Sequence, residues 1–220
     1  MFRNLRLVLP VLPVLSLGLL AASAPAAWAD TTAAIQTAAV TSPKATIESL
    51  DQTLLATMKA GKAAGYPGRY KIIAPVIDKT FYFQRIAEIS LGSEWGKLNA
   101  AQQQQFVKVL GEYTTATYAG RFDDYNSEQF AVTGVQQLRP GTMGVFTTFT
   151  MKNGRVHRFD YLLEQADGKD WKIINVVADG VSDLSLKRSE YTETIKSKGF
   201  PALIAHLQHE IQGYASGGKS

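Results

Sequence analysis

Residues 128–178 read EQFAVTGVQQLRPGTMGVFTTFTMKNGRVHRFDYLLEQADGKDWKIINVVA, and the reading of this stretch decides the fold. Its apolar residues recur every second position, the period of a half-buried strand. Four runs follow one another: Glu128 to Leu138, Thr142 to Met151, Val156 to Gln165 and Asp170 to Ala178. Between them lie Arg139-Pro140-Gly141, Asn153-Gly154 and Asp167-Gly168, short turn signals of which the last two are favoured hairpin pairs. A four-stranded antiparallel meander is the economical arrangement. Alternation then assigns the faces. Met143, Val145, Phe149 and Met151 point the same way as His157, Phe159, Tyr161 and Leu163, while Arg158, Asp160 and Glu164 point to the other side.

Upstream of the strands the period is helical. Ser42-Pro43 reads as an N-cap with proline at the first helical position, followed by Ile47, Leu50, Leu54 and Met58 on one face as far as Gly61. After Gly65-Tyr66-Pro67-Gly68, read as a turn, the stretch from Arg69 to Leu91 is helical but carries Pro75, which should split or kink it. Asn99 with Gln102 three residues on is a capping-box signature. It opens the longest helix, whose stripe runs through Phe106, Leu110, Tyr113, Thr117, Phe122 and Tyr125. Downstream, a helix capped near Ser182 runs to about Lys198, and another starts at Pro201 with Leu203, Ile204, Leu207 and Ile211 on one face. Helices, then a meander, then helices make an α+β domain with helices packed on one face of a twisted antiparallel sheet.

The chain begins as an export signal does: Arg3 and Arg6, then apolar Leu7 to Leu20, then Ala27-Trp28-Ala29. Pro10 and Pro13 interrupt the apolar run too early for a spanning helix of roughly 20 residues. The expected organisation is a signal peptide at 1–29, a flexible leader at 30–41, one domain at 42–213 and a disordered tail at 214–220. Cleavage takes two arginines and no acid from the formal charge of +4, leaving +2. With Lys and Arg interspersed among Asp and Glu, no basic face forms, and nucleic acid is not expected as a partner. No cysteine is present, which removes disulfides and thiolate metal sites and leaves the core alone to hold the fold.

Chemistry-bearing motifs are sparse. There is no phosphate-binding glycine loop, no nucleophile elbow and no His-Glu-x-x-His. His206 and His209 sit three apart near a helix end, with only Glu210 as a nearby acid, which reads as a solvated end and not as a metal site. His157 is the one histidine on a core-facing strand position. Neither a cofactor nor a metal is expected. Ten Phe, nine Tyr and three Trp supply much apolar surface, enough for a filled core or for a hollow between the layers.

Leu91-Gly92-x-x-Trp95, Gln105-Phe106, Thr117-Tyr118-Ala119, Phe122 and Tyr125 resemble the MlaC/Ttg2D family of periplasmic phospholipid-binding proteins. So do Trp171-Lys172-Ile173, Asp179-Gly180-Val181-Ser182, Arg188 and Tyr191, and the likeness is greatest to the hopanoid-associated HpnM-like branch. Tyr82 departs from the pattern, standing where the family has Asp before a Phe. The resemblance implies that sheet and helices enclose an elongated apolar cavity for acyl chains, with the head group at the mouth. It implies a monomeric, non-enzymatic carrier in the periplasm of a Gram-negative bacterium. Its ligand would be a phospholipid or hopanoid, and its partners an inner-membrane ABC transporter bearing an MCE-domain subunit and an outer-membrane lipoprotein complex. Stripe and strand alternation place Phe106, Tyr113, Phe122, Phe130, Val145, Phe149, Phe159 and Tyr161 on the expected cavity wall. The alternatives are a small enzyme using His157 and Tyr161, and an interaction module with a filled core.

Overall fold

The computed structural model describes residues 42–217, so the expected signal peptide, the leader and residues 218–220 lie outside the described residues. Helix α1 (Pro43–Ala60) starts as its sequence dictates: the Ser42 hydroxyl accepts the Ala45 N–H at 3.1 Å, and Pro43 occupies the first turn. Ile47, Leu50, Leu54 and Met58 are its buried face, and Gly61 ends it with φ of 55°. A single 3₁₀ turn then leads into α2 (Gly65–Thr80).

Two expectations change here. Gly65-Tyr66-Pro67-Gly68 is not a separate turn; it is the first turn of α2, where a proline costs no helical hydrogen bond. Nor does Pro75 split the helix, which continues through it. The break falls at Phe81-Tyr82 instead, because this pair leaves the helix to meet the sheet: the Tyr82 N–H donates to the Ile173 carbonyl at 2.9 Å. The Thr46 hydroxyl likewise donates to the Trp171 carbonyl at 2.9 Å. Both occupy carbonyls of a strand edge that would otherwise stay open.

Helix α3 (Phe83–Leu91) follows, with Tyr82 as an N-cap that offers no side-chain hydrogen bond. Here the departure from Asp has a physical consequence, since a carboxylate at this position could accept a free helical N–H. After a 3₁₀ segment at Gly92–Lys97 comes α4 (Ala100–Arg121), opened by a complete capping box between Asn99 and Gln102. Phe122 is its C-cap and Tyr125 lies beyond it, so the expected stripe overruns the helix by one turn.

The sheet is an antiparallel meander of β1 (Gln129–Arg139), β2 (Thr142–Thr150), β3 (Val156–Ala166), β4 (Asp170–Ala178) and β5 (Val181–Ser182), in that spatial order. The four long strands lie where the alternation places them. β5 is an addition, made by the Asp179-Gly180 turn, whose residues have φ of 48° and 85°. Asp167-Gly168 has the same signature at 51° and 69°, as a two-residue hairpin turn requires. Asn153-Gly154 differs. Only Gly154 has positive φ, and Met151 closes a three-residue loop onto Arg155. Val145 pairs with Tyr161 and Met143 with Leu163, so the expected inner face is one face. Irregularities at Val132/Gly134 and Leu162/Leu163 bend the strands and sharpen the twist.

Helices α5 (Asp183–Lys198), capped by Ser182, and α6 (Phe200–Ala215) complete the layer. Since α6 reaches Ala215, Tyr214 is part of the helix and is buried, not the start of a tail. One core, built from Leu50, Ile77, Phe106, Val145, Leu163 and Leu203 among others, joins sheet and helices. Among the described residues, no helix is long and apolar enough to cross a membrane.

Candidate functional site

Between the twisted sheet and the layer of α3, α4 and α5, packing is incomplete. A cavity of about 250 Å³ remains, partly open to the surface. A water needs about 10–15 Å³ by a comparable measure, so this space exceeds a few waters and the core is not filled there.

Its helical wall is one stripe of α4: Leu110, Thr114, Thr117, Tyr118 and Arg121. This spacing of three and four brings them to a single face. Thr114 and Thr117 look polar but are not so toward the cavity, since each hydroxyl donates to the carbonyl four residues back, Leu110 and Tyr113, at 2.9 Å. Their methyl groups are left as wall. The opposite wall comes from alternate positions of the sheet: Phe130 of β1, Phe159 and Tyr161 of β3, and Ile174, Val176 and Ala178 of β4. Phe81 and Ile86 close one side, Leu184 and Lys187 of α5 another.

Aromatic rings form a continuous series along this wall. Phe81 stacks on Phe83 at 5.7 Å and meets Tyr118 edge-on at 5.9 Å; Tyr118 stacks on Phe122 at 5.7 Å; Phe122 reaches Phe130 at 6.5 Å. Burial holds the phenols of Tyr118 and Tyr161 well above their ordinary range and pushes Tyr113 up to about 12. These groups are therefore neutral at any physiological pH. A second and more open groove of about 490 Å³ lies beyond Phe81, between Tyr70, Phe83, Val107 and the Lys108–Glu112 ion pair.

The structure sorts the eight expected wall residues into two groups. Phe122, Phe130, Phe159 and Tyr161 line the cavity. Phe106, Tyr113, Val145 and Phe149 do not. Phe106 is wholly buried against Tyr191, Val145 is wholly buried in the core, and Tyr113 packs under Lys187 and beside Tyr214. Phe149 backs the wall from behind Phe130, ring centres 4.7 Å apart. Phe81, Tyr118, Ile174 and Val176 also line the cavity, and none of them is among the eight expected wall residues. For Tyr118 and Val176 the signal was available in the helical and strand periods, one residue out of phase with the most apolar stripe.

His157 and Tyr161 do not meet at the cavity. His157 is held by Asp179, Nδ1 to Oδ2 at 2.7 Å, and takes no part in the wall. His206 bonds Glu190 at 2.7 Å. Among the described residues no group of three His, Asp or Glu is placed to hold a metal.

Residues 48–209 match the family model described as MlaC protein. Over 186 residues the chain is 24% identical to toluene tolerance protein ttg2D of Pseudomonas putida, covering 81% of this chain and 82% of that one. It is 23% identical over 121 residues to the intermembrane phospholipid transport system binding protein MlaC of Haemophilus influenzae, covering 54% of this chain and 56% of that one. In fold it is similar to a phospholipid-binding protein of Ralstonia solanacearum solved in complex with a phospholipid. That match has a TM-score of 0.65 and 21% identity, and covers 78% of this chain and 97% of that one.

Proposed function

The chain belongs to the MlaC family, and from that premise we propose that it is a periplasmic lipid carrier whose cargo places acyl chain in the cavity between sheet and helices. The observation that carries this reading is the cavity itself, a largely apolar space, partly open to the surface, beside a packed hydrophobic core. The names of the relatives, one a phospholipid transport binding protein and one a phospholipid complex, support it.

The energetics fit such a role. Two chains of about 15 methylenes each lose on the order of 24 kcal/mol if exposed to water, at about 0.8 kcal/mol per methylene. A carrier must supply equivalent burial without greatly exceeding it, so that both loading and release proceed. A wall of rings and methyl groups with few fixed polar partners meets that requirement.

Size sets a further condition. A cavity of about 150 Å³ holds benzene, so by proportion 250 Å³ takes about ten carbons, less than one full acyl chain. Loading a two-chain lipid therefore calls for separation of α4 and α5 from the sheet. The expected setting is the same as the resemblance implies: export by the segment at 1–29, loading and unloading at an outer-membrane lipoprotein complex and an inner-membrane ABC transporter with an MCE-domain subunit. The test is mass spectrometry of organic extracts from folded protein purified without detergent. Stoichiometric lipid is expected; a clean extract would overturn the reading.

A further inference from the structure

Three charged side chains stand in the cavity wall: Arg121, the last residue of α4, and Asp183 and Lys187, one turn apart on α5. Two of them are already matched. Lys187 Nζ lies 2.6 Å from Asp183 Oδ2, and the same ammonium sits 5.4 Å above the Tyr113 ring. As a unit that pair is neutral. Asn175, the other polar chain at this end, is taken by Ser182 and by the Leu184 N–H.

Arg121 is different. It is exposed at the end of the wall, and among the described residues it makes no ion pair and no hydrogen bond. Asp123 and Asp124 follow closely in sequence, yet neither pairs with it, and Asp124 accepts instead from the Tyr125 N–H and the Asn126 amide. A cation is favourable at a helix C-terminus, so the guanidinium is stable there without an anion of the protein's own. The wall thus carries one net positive charge, set at the edge of an apolar cavity.

We propose that Arg121 is the anion contact of the cavity, taking the phosphodiester of a glycerophospholipid whose acyl chain lies along Tyr118 and Phe122. The assignment rests on the lipid-carrier reading above and deepens it by naming the residue that tells a phosphodiester from an uncharged lipid. A guanidinium presents two parallel N–H groups that match a phosphate's oxygens. Beside a low-dielectric wall that attraction is stronger than in open water. An uncharged lipid, whether diacylglycerol or a polycyclic hydrocarbon, offers the same burial and no partner for the charge.

The test compares the parent protein with R121K, R121Q and R121E. Each is incubated with vesicles containing equal amounts of dioleoylphosphatidylglycerol and dioleoylglycerol, repurified, and its lipid quantified by mass spectrometry. The expected result is a fall of about tenfold in the ratio of phosphatidylglycerol to diacylglycerol for R121Q, the size of one charge-assisted contact. R121E should fall further and R121K should keep part of the preference. If R121E does not fold by circular dichroism, R121Q carries the same comparison. Variants that keep the parental ratio would overturn the proposal. So would inorganic phosphate raising the melting temperature of the parent but not of R121Q while the lipid ratio stays fixed, since the site would then serve a free anion. Failure of the carrier reading looks different: the parent itself retains neither lipid, and the proposal falls with it.

Discussion

The guanidinium of Arg69 donates from Nε to the carbonyl of Ala119 at 2.8 Å, and from Nη1 to the carbonyl of Gly61 at 2.9 Å. A buried arginine, only 7% exposed, thus binds carbonyls at the C-terminal ends of two helices, α1 and α4. Those are groups a helix cannot satisfy itself, at the negative end of its dipole. Arg69→Met keeps the stem and removes both donors, leaving two acceptors without partners. A loss of roughly 3 kcal/mol is expected, at 1–3 kcal/mol per stranded group, read from urea unfolding. Lipid retention should fall with it, because the same turn of α4 carries Tyr118 and Arg121 to the cavity.

Asp51 of α1 is 6% exposed, and its Oδ1 has no hydrogen-bond partner. Burial first, and the neighbouring Glu48 second, push its carboxyl up to about 7. The folded state therefore holds a proton that the unfolded chain, with the same group near 3.8, has already released. Stability falls as pH rises from about 4 through about 7, by at most about 4 kcal/mol at 1.36 kcal/mol per pH unit. Asp51→Asn should flatten that slope, gaining stability at pH 8 and little at pH 4. Unfolding midpoints for both proteins across this range decide it; parallel curves would show that Asp51 is not the group responsible.

Gly120 sets two effects against each other. Alanine in a helix interior is favoured over glycine by about 1 kcal/mol. Here, however, a Cβ would come within 2.5 Å of the Tyr214 ring, which is 4% exposed and has little room to retreat. Overpacking of a tight contact costs about 1–3 kcal/mol, so the clash should win. Gly120→Ala is expected to destabilise by about 1 kcal/mol in urea, whereas Gly213→Ala, with open space around its Cβ, should not destabilise.

Sequence periodicity located the strands and most helix ends because each depends on neighbours in the chain. The Asn99 box, the Ser42 cap and the Asp167-Gly168 turn are local devices, and each forms. Pro75 does not split α2, because a helix can absorb a proline when the rest of it is well packed, and the break coincides with a long-range bond from Tyr82 to Ile173. The cavity was legible only in part, for a related reason. On α4 the most apolar stripe, through Phe106 and Tyr113, marks what packs solidly. The face toward the hollow shares Leu110, Thr117 and Phe122 with that stripe but adds Thr114 and Arg121, whose composition looks surface-like until the threonine hydroxyls are seen folded back on their own helix. Strand alternation did better, bringing Phe130, Phe159 and Tyr161 to the wall, since a sheet has only two faces. It says nothing of depth, and so could not separate Val145 in the core from Val176 at the cavity.

Val176 gives the most direct test of the cavity as the cargo site. It lies on β4 opposite Tyr161, half-buried, with its side chain in the wall. Tryptophan there keeps a strand-favouring residue and directs its added volume into open space. Ordinary core positions lose about 1–3 kcal/mol when enlarged, but a void accepts the ring with little strain and gains apolar contact. Val176→Trp should therefore unfold at the same urea concentration as the parent, or a higher one. Its retained lipid should drop several-fold, because the space that would hold part of an acyl chain is occupied. Val145→Trp, enlarged within the packed core, should instead lose stability. A Val176→Trp protein that keeps both its stability and its full lipid load would place the cargo elsewhere, with the groove beyond Phe81 as the next site to fill.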